Sequence, residues 1–417
     1  MIDVLTSDIK QLVDDFTGES PNSTLDEVTT YVITILGELG FDKKKHLFDR
    51  FIRQVIAQYK ISLYGESYNN FIIKDKPEIV KYLGTLPQHE QRSPEWYAAR
   101  INSIGASESS TIFGLNPYET ENKLILKKCG VVNPDDIRRM KVVCEHGVKY
   151  EPVIQEMYCR DKNTTIEEFG SIRHSDETLS IVTASPDGIT PNGCMLEIKA
   201  PAKREITGIP PSYYWVQCQQ QMQVCKLDKV DFLEVKIEEY INKEDYENDN
   251  QNGDINEPYT SSGLDKNVVI EYHKLDSESS LGYIYPDKLL KTNEINKWKE
   301  SIEKTLEKSE NKQYRRMSYW KCKKYCLTEI YKDQEWWDAN VHKFNEFWKK
   351  VEYYRENGHS GLLPKKRTPY TPKVTQCLIT SDDDEPSPPK NTNNITNNTN
   401  ISVINSVEDC LICSDED

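Results

Sequence analysis

Ala184-Ser185-Pro186-Asp187-Gly188, and after it Met195-Leu196-Glu197-Ile198-Lys199, is the stretch on which the fold turns. Leu196 and Ile198 alternate with Glu197 and Lys199, the two-residue period of a strand that buries one face. Glu197 and Lys199 therefore emerge together on the other face. Pro186 and Gly188 bracket Asp187 in a turn signature, which carries a side chain out to a sheet edge. The carboxylates of Asp187 and Glu197 and the main-chain carbonyl of Ile198 are hard oxygen donors of the kind Mg²⁺ or Mn²⁺ takes. Lys199 would orient or deprotonate a water beside them, an arrangement suited to cutting a phosphodiester. Acidic and basic residues also alternate on ordinary solvated strand edges, so the neighbouring sequence has to decide.

Outward from this stretch, mixed helix and strand signals run from about 88 to 240. Helices are predicted over Pro94 to Arg100, Ser107 to Phe113 and Tyr150 to Tyr158, and strands over Gly170 to Arg173, Leu179 to Thr183, Cys194 to Lys199 and Val230 to Ile237. A helix from Pro211 to Val224 is predicted between the last two strands. That order predicts an α/β fold, a mixed central sheet flanked by helices. Asn267 to Leu275 adds a strand, and Pro286 to Lys308 and Gln334 to Tyr354 add helices. Residues 1–87 read as a helical N-terminal domain. Thr24 and Glu27 make a capping box, and Val28, Val32, Ile33, Ile35 and Leu36 recur at helical spacing. Leu47, Phe48, Phe51, Ile52, Val55 and Ile56 repeat the pattern after Gly40. Residues 88–363 read as the second domain, with an acidic, solvated insertion near 240–262 and C-terminal helices; 364–417 read as a disordered, acidic, Asn-rich tail.

The chain has 417 residues and a net charge of -15, which at first sight argues against nucleic acid. The acidity is uneven, however. From Ser381 to Asp417, nine acidic residues face the single Lys390, about half of the whole excess. Basic clusters at Lys127-Lys128, Arg138-Arg139-Lys141, Arg315-Arg316, Lys321-Lys323-Lys324 and Lys365-Lys366-Arg367 leave room for phosphate contacts. The 11 cysteines are scattered, and neither a signal peptide nor a long apolar span is legible, which predicts an intracellular, soluble protein without a membrane partner. Cys322 and Cys326 are near enough in sequence to share a metal, but Cys410 and Cys413 sit in the tail, so buried thiols are the better reading.

Four more segments fit the same chemistry. Arg100 follows Trp96 by one helical turn and could hold a phosphate with its guanidinium, and Gly105-Ala106-Ser107 opens a helix where amides and a hydroxyl favour an anion. Gly147-Val148-Lys149-Tyr150-Glu151-Pro152 reads as a helix start, with Glu151 a third carboxylate and His146 a weaker candidate ligand. The ordinary readings are an N-cap for Ser107 and a dipole-compensating acid for Glu151. Tyr213-Tyr214-Trp215-Val216-Gln217-Cys218-Gln219-Gln220-Gln221-Met222 lies on the helix after the Glu-x-Lys strand, and Gln219 falls one turn from Trp215 and Met222. Its amide could donate to phosphate and hold a nucleophilic water.

In this order, Trp96, Arg100, Gly105-Ala106-Ser107, Gly147, Glu151-Pro152, Ser185-Pro186-Asp187-Gly188, Glu197-Ile198-Lys199 and Tyr214 to Met222 resemble the YqaJ-like viral recombinase nucleases, the lambda-type exonuclease branch of the PD-(D/E)XK superfamily. The resemblance implies a restriction-endonuclease-like core with the helical domain and C-terminal extension added to it. It implies two Mg²⁺ or Mn²⁺ ions on Asp187 and Glu197, with Glu151 and the Ile198 carbonyl as further ligands, Lys199 activating water and Gln219 supporting the nucleophile. Arg100 and Ser107 would match the positions that bind a DNA 5′-phosphate, and Ser185 a contact near the scissile bond. The implied activity is 5′-to-3′ digestion of linear duplex DNA in recombination, repair or defence. A homo-oligomer and an annealing protein or helicase are the implied partners, and the host cytoplasm or a viral factory the implied location. The rival readings are a RecB-like, CRISPR-associated-type nuclease with endonuclease or single-strand activity, and a non-catalytic DNA-end binder. An iron–sulfur cluster is disfavoured, since only Cys322 and Cys326 are suitably close. The run Tyr319 to Tyr325 could stack on unpaired bases or cap a helix bundle.

Overall fold

The computed structural model of the chain describes residues 2–19, 25–38, 49–50, 52–57, 59, 75–89, 93–131, 133–251, 253–275 and 281–363. Thr24, Gly40, Leu47, Phe48 and Phe51, and the tail from 364 with Cys410 and Cys413, lie outside them. Helices α1 (Ile2–Glu19) and α2 (Leu25–Glu38) pack with the helical residues 52–57 through Ile9, Val13, Val28, Val32, Leu36, Ile52 and Ile56. This unit touches the rest of the chain where Arg50 meets Asp333 at 2.7 Å and Gln54 donates to the Tyr331 carbonyl at 3.0 Å.

Helices α3 (Pro77–Gly84), α4 (Pro94–Ile101), α5 (Ser109–Ile112), α6 (Glu121–Lys128) and α7 (Pro134–Lys162) come next. Strands β1 (Ile172–Arg173) and β2 (Thr183–Ala184) pair as an antiparallel ribbon. Then come β3 (Gly188–Ile189), β4 (Met195–Lys199), α8 (Ser212–Cys225), β5 (Lys229–Glu239), α9 (Lys243–Asn248), β6 (Lys266–Lys274), β7 (Leu281–Ile284), α10 (Thr292–Glu307), β8 (Lys312–Tyr331), α11 (Gln334–Asn340) and α12 (His342–Asn357). The main sheet has six strands in the order β3-β4-β5-β8-β6-β7. β4 and β5 run parallel with α8 as their crossover, and the other pairs are antiparallel, so the sheet is mixed and flanked by helices.

On one face Leu196, Ile198, Leu233 and Val235 pack under α7 through Tyr150, Ile154 and Tyr158. On the other, Met195, Val230 and Phe232 meet α8, α11 and α12 through Trp215, Trp336 and Phe344. The alternation read from β4 holds, but its Glu197–Lys199 face is not a solvated edge, because α8 covers it and both residues are 2% exposed.

Several expectations change. Glu151 sits inside the 29-residue α7 rather than at a helix start. Pro152 there cannot donate to the Val148 carbonyl, and Tyr285 donates its hydroxyl to the adjacent Lys149 carbonyl at 2.7 Å. The run from Tyr319 to Tyr325 belongs to β8, the 20-residue central strand between β5 and β6, so it caps no helix bundle. A register shift opposite Lys236 and Ile237 inserts a bulge there. Trp320 and Cys322 before it, and Tyr325 and Leu327 after it, therefore all join the α7-side core. Cys326 thus falls on the opposite face from Cys322, and the two thiols share no metal site.

The acidic insertion is also wired into the fold. Tyr246 is wholly buried, and Asp249 accepts from Tyr240 at 2.8 Å and from the Ser261 amide at 2.7 Å. Among the described basic residues, Arg315 and Arg316 pair with Glu271, and Lys321 with Asp249. Among the described residues no helix is long and apolar enough to cross a membrane.

Trp215 is 1% exposed and meets Trp336 edge-on at 5.1 Å. Trp215→Ala is expected to lower the unfolding free energy by about 3–5 kcal/mol. Tyr353→Ala, at a 58% exposed position, should change it by under about 0.5 kcal/mol. Denaturant midpoints at unchanged slope would check both.

Candidate active site

Lys199 reaches back along its own strand to Glu197, Nζ to Oε1 2.7 Å. The same oxygen accepts from Gln217 Nε2 at 2.6 Å, and Glu197 Oε2 accepts from Gln221 Nε2 at 2.6 Å. Gln217 and Gln221 are four residues apart and share the face of α8 laid over β4. Tyr214, one turn earlier, places its ring 4.6 Å from Lys199 Nζ. Asp187 is half-buried, with its carboxyl turned inward to accept the Ile198 amide at 2.7 Å. Burial pushes the Asp187 carboxyl well above the usual range; Glu197 and then Glu151 push it the same way, and Lys199 opposes them.

Three carboxylates, Asp187, Glu197 and Glu151, therefore act on one another beside the Lys199 ammonium. Such a gathering of hard anionic oxygen suits a divalent cation, and Asp187, Glu197, Glu151 and the Ile198 carbonyl are the donors that would hold it. Among the described residues no three His, Cys, Asp or Glu side chains already stand in one coordination cluster. Both Glu197 oxygens are engaged by Lys199 and the two glutamines.

Gln219 does not join them. Its amide donates to the Tyr331 carbonyl at 2.9 Å and accepts from the Asp333 amide at 2.7 Å. Trp215 and Met222, from which its position was read, are core residues, so Gln219 lies on the core side of α8. The helical face that reaches the site runs Tyr214, Gln217, Gln221, and counting fours from Gln217 would have found it. His146 is elsewhere too. It lies 4.9 Å from the Tyr150 ring, and burial, with Lys149 beside it, lowers its pKa.

A second cluster forms around Trp96. Its indole N–H donates to Ser185 Oγ at 3.3 Å, and the Arg100 guanidinium lies 4.5 Å from its ring. Arg100 Nη2 in turn donates to Ser107 Oγ at 3.3 Å. Arg100, Ser107 and Ser185, far apart in sequence, are thus brought to one place. The Gly105 amide does not face outward for an anion, since it donates to Glu108 Oε2 at 2.9 Å. Glu108 is 1% exposed and also receives Lys128 at 2.6 Å and Lys127 at 3.4 Å. Burial raises the Glu108 carboxyl, but Lys128, Lys127 and Arg100 together hold it down at about 2. Three cations, Lys128, Lys127 and Arg100, thus act on this carboxylate, and Arg100 joins the cluster to Ser107. The sequence reading missed Glu108 and Trp96 as supports, because a buried ion pair leaves no periodic signature.

Residues 95–228 match the model of the YqaJ-like viral recombinase domain, a range that contains every motif from Trp96 to Met222. An uncharacterised protein of Acanthamoeba polyphaga mimivirus is 33% identical over 311 residues, 67% of this chain and 55% of its own length. A protein of African swine fever virus is 29% identical over 162 residues, 31% of this chain and 45% of its own. The chain spans about half the length of these relatives. Among solved structures, an alkaline exonuclease from Laribacter hongkongensis is similar at 16% identity and a TM-score of 0.35, covering 64% of this chain and 95% of that one. Its complex with dAMP gives 17% and 0.36.

Glu108→Gln leaves Lys128 buried without its counter-charge and should cost about 3–5 kcal/mol of stability at pH 7. The gap should narrow in acid. Wild type keeps the Glu108 contribution above the ordinary pKa of 4.5 and loses it as pH falls towards about 2. Gln219→Ala strips the partners from Tyr331 and Asp333 and should cost about 1–3 kcal/mol. Denaturation at several pH values would read both.

Proposed function

With residues 95–228 taken as a YqaJ-like viral recombinase domain, we propose that this chain is a Mg²⁺- or Mn²⁺-dependent deoxyribonuclease that degrades linear duplex DNA from its 5′ ends. The observation that carries the reading is the buried Glu197–Lys199 pair, roofed by Gln217 and Gln221, with Asp187 anchored on the Ile198 amide between them. A binding module has no use for a lysine and a carboxylate sealed under a helix with a second carboxylate beside them, where desolvation alone is unfavourable.

The divalent cations, when bound, would polarise the scissile phosphate and stabilise the leaving oxygen. Asp187, Glu197, Glu151 and the Ile198 carbonyl are the groups proposed to hold them. Lys199, fixed over Tyr214 and against Glu197, orients the attacking water and takes part in moving its proton. Gln217, one amide away, has the placement first expected of Gln219. Arg100 and Ser107 hold the terminal 5′-phosphate, and Ser185, tied to Trp96, lies between that pocket and Asp187. A homo-oligomer around the duplex, working with an annealing protein or helicase, completes the proposal.

Asp187→Ala should abolish metal-dependent shortening of end-labelled duplex and spare DNA binding. Arg100→Ala should lower the preference for a 5′-phosphorylated over a 5′-hydroxyl end by about 10–100-fold, the range of a charge-assisted hydrogen bond. Gln217→Ala should lower kcat, whereas Gln219→Ala should leave it near wild type. Cleavage by Asp187→Ala would overturn the site assignment. DNA binding by wild type without cleavage in either metal would favour the end-binding reading instead.

A further inference from the structure

Residues of α3, α4, β1 and the end of α8 line a cavity of about 520 Å³ to which Asp187, Glu197 and Lys199 do not contribute. That is a usual size for a small-ligand site. Its lining includes Arg173, Lys226, His89 and His174 and no acidic side chain, in a chain with 68 Asp and Glu against 53 Lys and Arg. Arg173 donates to the Ser180 carbonyl at 3.4 Å, and Lys226 Nζ lies 5.5 Å from the Tyr82 ring. Among the described residues no carboxylate pairs with either cation. The acids near them in sequence are engaged elsewhere. Asp176 accepts from the Thr178 amide at 2.8 Å and hydroxyl at 2.7 Å, and Asp228 holds Lys76 and Lys332, each at 2.5 Å. Burial lowers the His174 pKa, Asp176 opposes the shift and Lys226 adds to it, so the ammonium is within electrostatic reach of that ring.

The walls are held in place. Gln88 Oε1 accepts the Gly170 amide at 2.6 Å, and Gln88 Nε2 donates to the Leu83 carbonyl at 3.2 Å. Gly170 lets the two segments touch, since a Cβ there would run into the His89 carbonyl oxygen. Ser103 and Thr183, both buried, also line the cavity and are linked through their hydroxyls at 3.3 Å. Lys226 closes α8 at φ 58° and ψ 30°, the left-handed region that glycine or asparagine usually fills at a helix end. A lysine is thus kept at the cavity in a backbone conformation unfavourable for it.

We propose that this cavity is a nucleotide site separate from the cleavage site, in which Arg173 and Lys226 take a phosphate and Tyr82, Leu83, Leu86 and Val224 the face of a base. Two cations with no paired carboxylate suit an anion, and a guanidinium matches the oxygens of a phosphate. The apolar wall requires more than an anion. Inorganic phosphate would leave that wall in water, and an uncharged ring would desolvate both cations without compensation. A nucleotide satisfies both. The Lys226 ammonium adjoins the Tyr82 ring, so the partners of phosphate and base stand side by side. A free mononucleotide and one nucleotide of a single strand offer the same chemistry. The site stands whether or not Glu197 and Lys199 cut DNA.

The test titrates the full chain with dGMP in EDTA, read by calorimetry. Wild type and Arg100→Ala should bind alike, whereas Arg173→Ala and Lys226→Gly should each weaken binding about tenfold, the low end for a charge-assisted hydrogen bond. Glycine suits the left-handed position, so Lys226→Gly removes the ammonium without straining the end of α8. Tyr82→Ala should bring dGMP down to the affinity of inorganic phosphate, which wild type should hold more weakly than dGMP. A 5′-phosphorylated trinucleotide that displaces dGMP would make a strand the source, and one that does not would make it the free nucleotide; both outcomes uphold the site. Three results would overturn it: no binding of dGMP, binding unaltered in both Arg173→Ala and Lys226→Gly, or binding lost in Arg100→Ala alone. Equal affinity for inorganic phosphate and dGMP would overturn the assignment to a nucleotide. Because nothing is cut in EDTA, failure of the nuclease reading would show separately, as absence of cleavage in Mg²⁺ or Mn²⁺.

Discussion

The buried Glu197 carboxylate is the constraint around which the rest is arranged. A 2%-exposed anion would be prohibitive without partners, and its partners include Lys199 from its own strand and Gln217 and Gln221 from α8. Those partners can be there only because β4 and β5 are parallel, which requires a crossover helix to return over the sheet. The opposite face of β4 is equally committed, with Leu196 and Ile198 packed under α7. A one-residue slip of β4 would send the carboxylate into hydrocarbon. Register, crossover and site chemistry are therefore one constraint.

What the sequence made legible follows from range. Strand alternation and the Pro-Asp-Gly turn are local, and they placed Asp187, Glu197 and Lys199 correctly relative to the sheet. The grouping of Arg100, Ser107 and Ser185 came through resemblance rather than periodicity; the contact that joins them, Trp96 between Arg100 and Ser185, spans 89 residues. Gln219 was misassigned because a helix of nearly all-buried residues has no polar face to orient by. With Tyr214 to Gln221 all buried, only the partner strand says which glutamine faces it.

β8 was illegible for a related reason. Its sequence Lys312 to Tyr331 mixes charges and aromatics without alternation. A bulge reverses its faces, and Arg315, Arg316 and Lys321 are neutralised by Glu271, Glu239 and Asp249 on neighbouring elements. A period-two search cannot cross a bulge, and a charge count cannot see a buried partner. The acidic insertion is exposed over most of its described length, as read, and its anchors at Tyr246 and Asp249 are what the charge count missed.

Internal neutralisation also bears on how a chain of net charge -15 would engage DNA. Among the described residues, Lys127, Lys128, Arg315, Arg316 and Lys321 are each matched by a carboxylate. Two clusters of opposite character stand out. Arg100, Lys127 and Lys128 gather on Glu108, while Asp187, Glu197 and Glu151 gather beside Lys199. The first suits a phosphate directly, and the second suits one only after a cation has entered. Trp96 and Ser185 connect the two. On the proposed reading, a strand laid across them has a defined direction, because its phosphorylated end is drawn to the cationic pocket and an internal phosphate to the metal-requiring one. Polarity would then come from the order of the two clusters along the strand.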